Sequence, residues 1–382
     1  MNQFQIKPAI QFGADALNSL RDLPGKRALV ITDQAMVKFG ITERVIQPLL
    51  ANHMVVDVFA EVTPDPDTAV IARGMNAFMA SQPEVVIAVG GGSVIDAAKG
   101  VIYTLAQGGK LTHKPYFVAL PTTSGTGSEV TAFSVIKSNT EKWVVVDEYM
   151  LPDLAILDPN LVASVPGPIT ADTGMDVLCH ALEAYVSNQA SDFSDALAEK
   201  AVQLVFAHLL DCYQHGHDMQ AREKMHNASC IAGMAFTNAS LGITHSLAHA
   251  LGGKFGVPHG RANALLMSHV VAFNADFQHH CDTLAAHKYA RLAALLGLPA
   301  RHAREGVQSL LVAIDVLREQ LGLPTSIHAC GIEHGDFHVA LAAMVTLAKQ
   351  DNCTPTSPRL ASETELDALY RDSFLSASIT AH

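Results

Sequence analysis

An aspartate and several histidines in the second half of the sequence have the spacing of metal ligands. Asp176 and His180 stand four residues apart in TGMDVLCHALEAY, so a helix would present both on one face. His245 and His249 repeat that spacing in GITHSLAHALGG, and His259 follows in the turn VPHGRAN. One carboxylate and three imidazoles, from Asp176, His180, His245 and His259, suit Fe²⁺, Zn²⁺ or another divalent first-row metal.

A single buried histidine is more often structural than a metal ligand, so no one of these residues indicates a metal site by itself. Their combined spacing does favour one. Ser246 stands where an H-E-x-x-H motif has its glutamate, which argues against a zinc peptidase. We interpret His269 as structural. A further group of histidines in polar or amphipathic settings is interpreted as surface: His53, His208, His215, His217, His279, His280 and His302.

A glycine-rich turn in the first half could receive an anion. The segment 85–99, VVIAVGGGSVIDAAK, combines a buried strand, three glycines and a helix that opens at Ser93. Glycines allow close approach to a backbone, and a Ser93 cap would leave the helix N-terminus facing a pyrophosphate. An ordinary tight turn is an equal alternative, and the G-x-G-x-x-G motif is not present.

A second loop, PTTSGTGSE (121–129), carries five hydroxyl side chains and two glycines after the next strand. Ligands of open α/β sheets bind at the carboxyl ends of the strands, so two such loops favour a nucleotide over an ordinary polar loop. Asp33 closes the strand ALVITD, where a carboxylate can accept from a ribose hydroxyl. From spacing alone, Asp33 fits a solvated turn residue better than a ribose contact.

The elements that must position these residues fall into two patterns. Short β-branched runs alternate with helical stretches over about the first 160 residues, which indicates βαβ units on a mostly parallel sheet; the runs are 28–32, 55–59, 85–89, 117–120, 144–146 and 154–157. After the segment 159–170, apolar residues recur at helical spacing with almost no strand signal. We therefore predict an α/β domain (1–165) followed by an all-helical domain (166–382).

Composition narrows the class of protein. The 382 residues include 25 Lys and Arg against 37 Asp and Glu, a formal net charge of −12. That balance argues against nucleic acid or an anionic membrane as a partner. The apolar runs are far shorter than a membrane span requires, and the first residues do not have the pattern of a secretory signal. The six scattered cysteines indicate reduced thiols, so we expect a cytoplasmic protein.

Together these segments resemble the iron-containing (group III) alcohol dehydrogenase family. The resemblance is carried, in order over essentially the whole chain, by ALVITD (28–33), GGGSVIDAAK (90–99), PTTSGTGSEVT (121–131), TGMDVLCHALEAYVS (173–187), HSLAHALGGKFGVPHGRANALL (245–266) and AKQDNCTPTSPRL (348–360). It implies a dehydroquinate-synthase-like architecture, with a nucleotide domain, a helical domain and a metal in the cleft between them.

By matching motif positions, the resemblance assigns a role to each candidate residue. Asp176, His180, His245 and His259 correspond to the metal ligands, and His249 to a nearby non-ligand histidine close to the nicotinamide and substrate. Gly91, Gly92, Ser93 and Asp96 correspond to the pyrophosphate loop, while Lys142 falls where a lysine approaches the ribose. Thr122, Thr123 and Thr126 lie where the family contacts the cofactor, and Asp33 matches the position of an aspartate that accompanies NAD.

The expected activity is hydride transfer between a small primary alcohol, or its aldehyde, and NAD(H), with the metal as Lewis acid. The resemblance favours Fe²⁺ over Zn²⁺ and a homodimer or larger homo-oligomer. His249 is a candidate proton relay. Two alternatives remain: a glycerol-dehydrogenase-like or other zinc/NAD oxidoreductase of polyols or hydroxyacid semialdehydes, and a non-catalytic nucleotide- or metal-binding sensor.

Overall fold

The structure, a computed structural model, describes residues 3–138 and 141–376, and the side chains of 138, 141 and 142 lie outside that description. The described residues form eight strands: β1 (Ala9–Phe12), β2 (Arg27–Thr32), β3 (Val55–Phe59), β4 (Val85–Gly90), β5 (Tyr116–Pro121), β6 (Phe133–Ser138), β7 (Glu141–Val146) and β8 (Leu154–Leu157). Six of them form one parallel sheet, in the order β1-β8-β5-β4-β2-β3.

Thirteen α-helices are described. Four lie among the strands: α1 (Gln34–Lys38), α2 (Ile41–Ala51), α3 (Thr68–Ser81) and α4 (Gly92–Gln107). Nine follow the last strand: α5 (Gly167–Val186), α6 (Asp192–Gln214), α7 (Met219–Ala239), α8 (Ile243–Phe255), α9 (His259–Asn274), α10 (Leu284–Leu295), α11 (Ala303–Gln320), α12 (His334–Gln350) and α13 (Glu363–Leu375). The predicted fold class, a parallel α/β region followed by a helical region, is confirmed.

The parallel sheet is covered on both faces, because successive residues of a strand point to opposite sides. In β4, Val86 and Ala88 pack into the core formed with α3 and α4. The alternate residues Val85, Ile87 and Val89 pack into a second core that includes α2. This double burial explains why the central strands are near-continuous apolar runs.

Strand register brings the predicted nucleotide loops to one edge of the sheet. β2, β4 and β5 are neighbours, and Thr32 pairs with Val89, which pairs with Leu120. The chain segments that follow these strands contain Asp33, the glycine turn and the loop 121–131. All three candidate segments therefore leave the sheet at the same level and from adjacent strands.

One predicted strand has a different partner from the one expected. The run 144–146 belongs to β7, which pairs antiparallel with β6 in a separate two-stranded sheet. Val146 and Trp143 are more than half exposed, so this hairpin is not the buried parallel strand that its β-branched residues suggested. The short edge strand β1 was not predicted because three of its four residues are exposed and give no buried β-branched run.

The chain forms two compact units. One comprises Gln5–Val165 together with His217–Gly233, and the other contains Pro166–Gly216 and the chain from Met234 onward. The first part of α7 thus packs with the α/β unit, although it follows helical segments in the sequence.

In the helical unit, α5 is the central element. It begins after Pro166, with a second proline in its first turn, a position that proline tolerates because helix N-termini need no N–H there. Almost every residue from Gly174 to Val186 is buried, and the helix packs against α6 and α9. A further core joins α8, α9, α12 and α13.

Two further expectations concern cysteines and membranes. All six cysteines are free thiols, as predicted, and four of them are buried. None of the helices in the described part of the chain combines the length and apolar character that a membrane crossing requires.

Candidate functional site

The four predicted metal ligands meet in the helical unit. Asp176 and His180 lie one turn apart on buried α5, His245 lies in the first turn of α8, and His259 is the first residue of α9. One ligand atom from each side chain lies within 4.8 Å of the others. The structure therefore brings together residues that are up to 83 positions apart in the sequence.

The geometry is that of a first-row metal site. The Asp176 Oδ1 atom lies 3.8 Å from His180 Nε2, 3.6 Å from His245 Nε2 and 3.5 Å from His259 Nε2. With metal–ligand bonds of about 2.0–2.2 Å, the ligand atoms of a tetrahedral site lie roughly 3.4 Å apart. The three distances from Asp176 are thus close to those expected around a bound divalent cation.

Glu183 fixes the orientation of one imidazole. Its Oε2 atom accepts a hydrogen bond from His245 Nδ1 at 2.6 Å and another from the Gly242 N–H at 2.9 Å, and its Oε1 accepts from the Thr244 N–H at 2.6 Å. With Nδ1 donating, His245 keeps its Nε2 lone pair for a metal. Carboxylate–histidine pairs of this kind hold the ligands of many metal sites.

Asn263 lies one turn beyond His259 on α9 and contacts the same cluster. Its Nδ2 donates to Asp176 Oδ1 at 2.7 Å and lies 3.2 Å from His245 Nε2 and 3.3 Å from His259 Nε2. An amide nitrogen has two protons, so it cannot satisfy three acceptor atoms at once. A cation bound among these atoms would satisfy the remaining lone pairs, which is a second reason that the cluster fits a metal.

The electrostatics of the cluster favour ionised carboxylates. Burial by itself would raise the pKa of Asp176, but the surrounding imidazoles of His180, His259 and His245 outweigh it and hold that pKa well below its usual range. For Glu183, burial is likewise outweighed, here by the His245 hydrogen bond, and its pKa is lowered. Two anionic side chains beside three imidazoles form a site that attracts a cation.

His249 stands one turn beyond His245 and lies outside the four-ligand set. Its Nδ1 lies 2.8 Å from Asp351 Oδ2, and its ring stacks on that of His259 with the ring centres 5.3 Å apart. The Asp351 carboxylate also accepts from the Cys353 N–H at 2.8 Å and from the Ser246 hydroxyl at 3.2 Å. The pair His249–Asp351 therefore resembles a histidine held in one tautomer by a fixed carboxylate.

The glycine turn lies at the carboxyl end of β4, and its details differ from the prediction. The helix α4 begins at Gly92, its cap residue is Gly91 and no side chain caps it. Ser93 lies within the first turn and its Oγ accepts from the Asp65 N–H at 3.4 Å, so the predicted Ser93 cap is wrong. A cap without a side chain leaves first-turn N–H groups open to an anion.

The hydroxyl loop packs directly on this turn. A β-carbon added to Gly92 would lie 2.7 Å from the Thr126 methyl group, and one added to Gly91 would lie 3.3 Å from the Thr123 hydroxyl. Thr122 is buried, and its N–H donates to the Gly90 carbonyl at 3.0 Å. The two loops thus form one continuous surface that requires glycine at 92.

The remaining predicted cofactor residues lie in less direct positions. Asp33 caps α1, with its Oδ1 accepting from the Met36 N–H at 2.9 Å. The Asp96 carboxylate accepts from the Ser128 hydroxyl at 2.8 Å and from the Val135 N–H at 3.1 Å, so both of its oxygens contact protein. Lys142 lies in β7, and its side chain is outside the described part of the structure.

Family profiles match both halves of this chain. The profile described as iron-containing alcohol dehydrogenase matches residues 8–159, and that of the Fe-containing alcohol dehydrogenase family, C-terminal, matches residues 170–374. The chain belongs to the iron-containing alcohol dehydrogenase family. This membership confirms the resemblance drawn from the sequence.

Two relatives differ in length. The 1-propanol dehydrogenase PduQ of Salmonella typhimurium is 42% identical over 376 residues, which cover 97% of this chain and 100% of that protein. The aldehyde-alcohol dehydrogenase of Streptococcus pneumoniae serotype 4 is 40% identical over 391 residues, which cover 94% of this chain. This chain spans only 44% of that second protein.

Solved structures of the family share the fold. A 1,3-propanediol oxidoreductase superposes with a TM-score of 0.91 at 33% identity, covering 98% of this chain and 100% of that one. The sulfoacetaldehyde reductase from Bifidobacterium kashiwanohense, solved in complex with NAD+, has a TM-score of 0.84 at 28% identity, with 98% of each chain covered.

The sequence-based predictions missed three residues of the candidate site: Glu183, Asn263 and Asp351. Glu183 follows Asp176 by two helical turns and Asn263 follows His259 by one, so each shares a helix face with a predicted ligand. That spacing was a usable signal. Asp351 lies 102 residues from His249, and no local pattern connects the two.

Proposed function

We propose that this chain is an NAD-dependent, divalent-metal alcohol dehydrogenase that interconverts a small primary alcohol and its aldehyde. The observation that carries the proposal is the convergence of three imidazole Nε2 atoms on one carboxylate oxygen, at 3.5–3.8 Å. Family membership supports the cofactor and the reaction class.

In this proposal, Asp176, His180, His245 and His259 hold the metal, which is Fe²⁺. When bound, the metal supplies Lewis-acid chemistry that lowers the pKa of an alcohol hydroxyl or polarises an aldehyde carbonyl. Glu183 holds His245 with its Nε2 towards the ligand cluster, and Asn263 holds the Asp176 carboxylate. Three nitrogen ligands and one oxygen also suit Zn²⁺, so elemental analysis of anaerobically purified protein tests the metal assignment.

His249 is the proposed catalytic residue. Because its Nδ1 donates to the Asp351 carboxylate, its Nε2 remains available to exchange a proton with substrate or solvent. The carboxylate makes further hydrogen bonds to Cys353 and Ser246, which keep the imidazole from rotating. His249 therefore acts as the proton relay of the proposed reaction.

The cofactor is proposed to lie along the carboxyl edge of β2, β4 and β5. Gly91, Gly92 and Ser93 would bind the diphosphate at the open start of α4, beside Thr122, Thr123 and Thr126. Lys142 remains a predicted ribose contact. Asp33 would accept from the ribose hydroxyls and disfavour a 2′-phosphate, which supports NAD over NADP. The NAD+ complex of the sulfoacetaldehyde reductase supports the same cofactor.

The substrate class follows from the relatives. Two of them are named for 1-propanol and 1,3-propanediol, so we propose a short primary alcohol or the matching aldehyde. Cytoplasmic location and a homodimer or larger homo-oligomer stay predictions of the sequence.

A steady-state screen tests the proposal. Alcohols and aldehydes of two to four carbons would be assayed with NAD(H) and NADP(H), on apoprotein reconstituted with Fe²⁺, with Zn²⁺ or with buffer alone. We expect turnover with NADH and short aldehydes that depends on added metal. Metal-bound protein that gives no turnover with any of these substrates would instead favour the non-catalytic sensor.

A further inference from the structure

A fully buried lysine lies behind the hydroxyl loop. Lys99, on the third turn of α4, has none of its surface exposed and is among the largest completely buried side chains of the described chain. Burying an ammonium group is costly unless every proton has an acceptor. A lysine at such a position therefore needs a specific set of partners.

Within the described part of the chain, the hydrogen-bond acceptors of this ammonium lie in one short segment, 128–133. Lys99 Nζ lies 2.6 Å from the Ser128 carbonyl, 2.8 Å from the Phe133 carbonyl and 3.0 Å from each of the Ser128 and Thr131 hydroxyls. An ammonium has three protons, so these four oxygens use its full donor capacity. Lys99 thus links α4, the helix that follows the glycine turn, to the end of the hydroxyl loop.

Two residues of the hydroxyl loop, Ser128 and Thr126, connect Lys99 to the proposed cofactor surface. Ser128 Oγ donates to Asp96, one turn before Lys99 on α4, and the Ser128 N–H donates to Thr126 Oγ1 at 3.2 Å. Thr126 in turn is the residue that packs on Gly92. A substitution of Lys99 would therefore alter the packing of Thr126 on Gly92, where the two loops meet.

Helix α7 packs against other residues of the same loop. Ser124 Oγ lies 3.0 Å from His226 Nδ1, and a β-carbon on Gly127 would lie 2.7 Å from the Gly233 α-carbon. Gly127 has φ +61°, so glycine is required there for its backbone conformation as well. Helix α7 thus packs directly against the loop that supplies the acceptors of the ammonium.

Two buried carboxyl groups of the same unit, those of Asp96 and Glu129, interact electrostatically with the lysine. Burial lowers the pKa of Lys99 to about 8, although Asp96 and Glu129 oppose that shift. Burial also raises the pKa of Glu129 to about 7. At neutral pH the ammonium therefore remains predominantly charged and keeps its three protons.

We propose that Lys99 is a positioning residue for cofactor binding, which holds the loop 121–131 in the shape that receives the nucleotide. This inference rests on the proposed function, because it takes the loop to bind NAD. Lys99 is buried behind the loop, so it affects cofactor affinity through Ser128 and Thr126 and not by its own contact with the nucleotide. The proposal also reinterprets Asp96 as a residue that acts on the loop.

The test compares two variants of the same helix by direct NADH titration of the metal-loaded enzyme. Lys99→Met keeps the length of the side chain and removes its protons, and we expect the Kd for NADH to rise by at least about tenfold. The KM for NADH should rise in parallel, with kcat at saturating cofactor changed far less. Metal content, measured on the same samples, should equal that of the parent.

Ile102, also fully buried on α4 but packed in the sheet core, provides the matched control. Ile102→Ala should lower the melting temperature and leave the Kd for NADH unchanged. If Lys99→Met fails to fold, Thr131→Val removes one acceptor of the ammonium without changing side-chain size, and its Kd should rise several-fold.

Three results would overturn the inference. They are an unchanged Kd in the folded Lys99→Met protein, an unchanged Kd in Thr131→Val where only that variant folds, and an equal rise of Kd in Ile102→Ala. Parent enzyme that binds metal but no NADH would contradict the proposed function itself, and with it this role of Lys99. The parent titration therefore separates failure of the function from failure of the inference.

Discussion

Replacement of Glu183 by glutamine should weaken metal binding while leaving all four proposed ligands in place. The wild-type carboxylate faces donors with both oxygens: Oε1 accepts from Thr244, and Oε2 accepts from His245 Nδ1 and the Gly242 N–H. A glutamine must place its NH₂ group at one of these two positions. In either orientation a buried donor then faces another donor.

The size of the effect follows from two costs. A buried polar group without a partner costs about 1–3 kcal/mol. Loss of a carboxylate that orients a metal-bound histidine reduces metal affinity by about 10- to 100-fold, or roughly 1.4–2.7 kcal/mol. The two estimates agree, so we expect Glu183→Gln to bind metal one to two orders of magnitude more weakly.

Competition with a chelator measures this directly. The parent and Glu183→Gln would be equilibrated with graded chelator, and protein-bound metal would be quantified by elemental analysis. Glu199 supplies a matched control, since it is a carboxylate of the same unit that accepts from the Tyr185 hydroxyl and from Arg291. Equal chelator midpoints for the parent and Glu183→Gln, or an equal loss in Glu199→Gln, would refute the orienting role.

Three further outcomes are expected. His259→Ala should lose metal and activity together, whereas His249→Ala should keep stoichiometric metal and lose turnover; elemental analysis and rate measurements on both variants decide, and metal loss from His249→Ala would make it a ligand. Asp33→Asn keeps a capping oxygen for the Met36 N–H but removes the charge, so the ratio of kcat/KM for NADP over NAD should rise, and an unchanged ratio would rule out the ribose contact. Burial lowers the pKa of His226 to about 4, whereas the imidazole of the unfolded chain has a pKa near 6.5. Between these two values the unfolded chain binds more protons than the folded chain. Protonation at this residue should therefore lower the free energy of unfolding by about 2 kcal/mol as the pH falls from 7 to 5. Denaturant titrations at both pH values should show that difference shrink in His226→Gln, and an equal fall in the two proteins would contradict the neutral buried histidine.

Helical spacing in the sequence identified most of the side chains that form the four-residue cluster. Asp176 and His180 are four residues apart, and a helix of any environment places such residues on one face. The turn around His259 added the last member, because a glycine pair and a proline precede it. The strand–glycine–helix order predicted the glycine turn between β4 and α4 for the same reason, since it is a local property of the chain.

Other features depend on packing and had no local signal. The histidine His226 is almost completely buried against the hydroxyl loop, although it lies in a helix that follows the predicted domain boundary. The β6–β7 hairpin has the residue types of a buried strand, yet Trp143, Val144 and Val146 are exposed, because β-branched residues also stabilise exposed edges. Ser93 was expected to cap α4, but the cap residue is Gly91, two positions earlier.

Residues that face a ligand lie close together in the sequence, whereas the residues that hold them in place lie far from them. This difference has a physical reason. Turns and single helices set the positions of ligand-facing groups, so these cluster in short motifs. Buried charges must instead find partners on whichever element packs beside them: Glu183 is 62 residues from His245, Asp351 is 102 from His249, and Lys99 is 29 from Ser128. Loss of such a partner leaves the ligand-facing group present but free to move. The contribution of such a partner is therefore measured by a binding constant, because the motif itself is present with or without it. For this reason Glu183 is tested through metal affinity and Lys99 through NADH affinity.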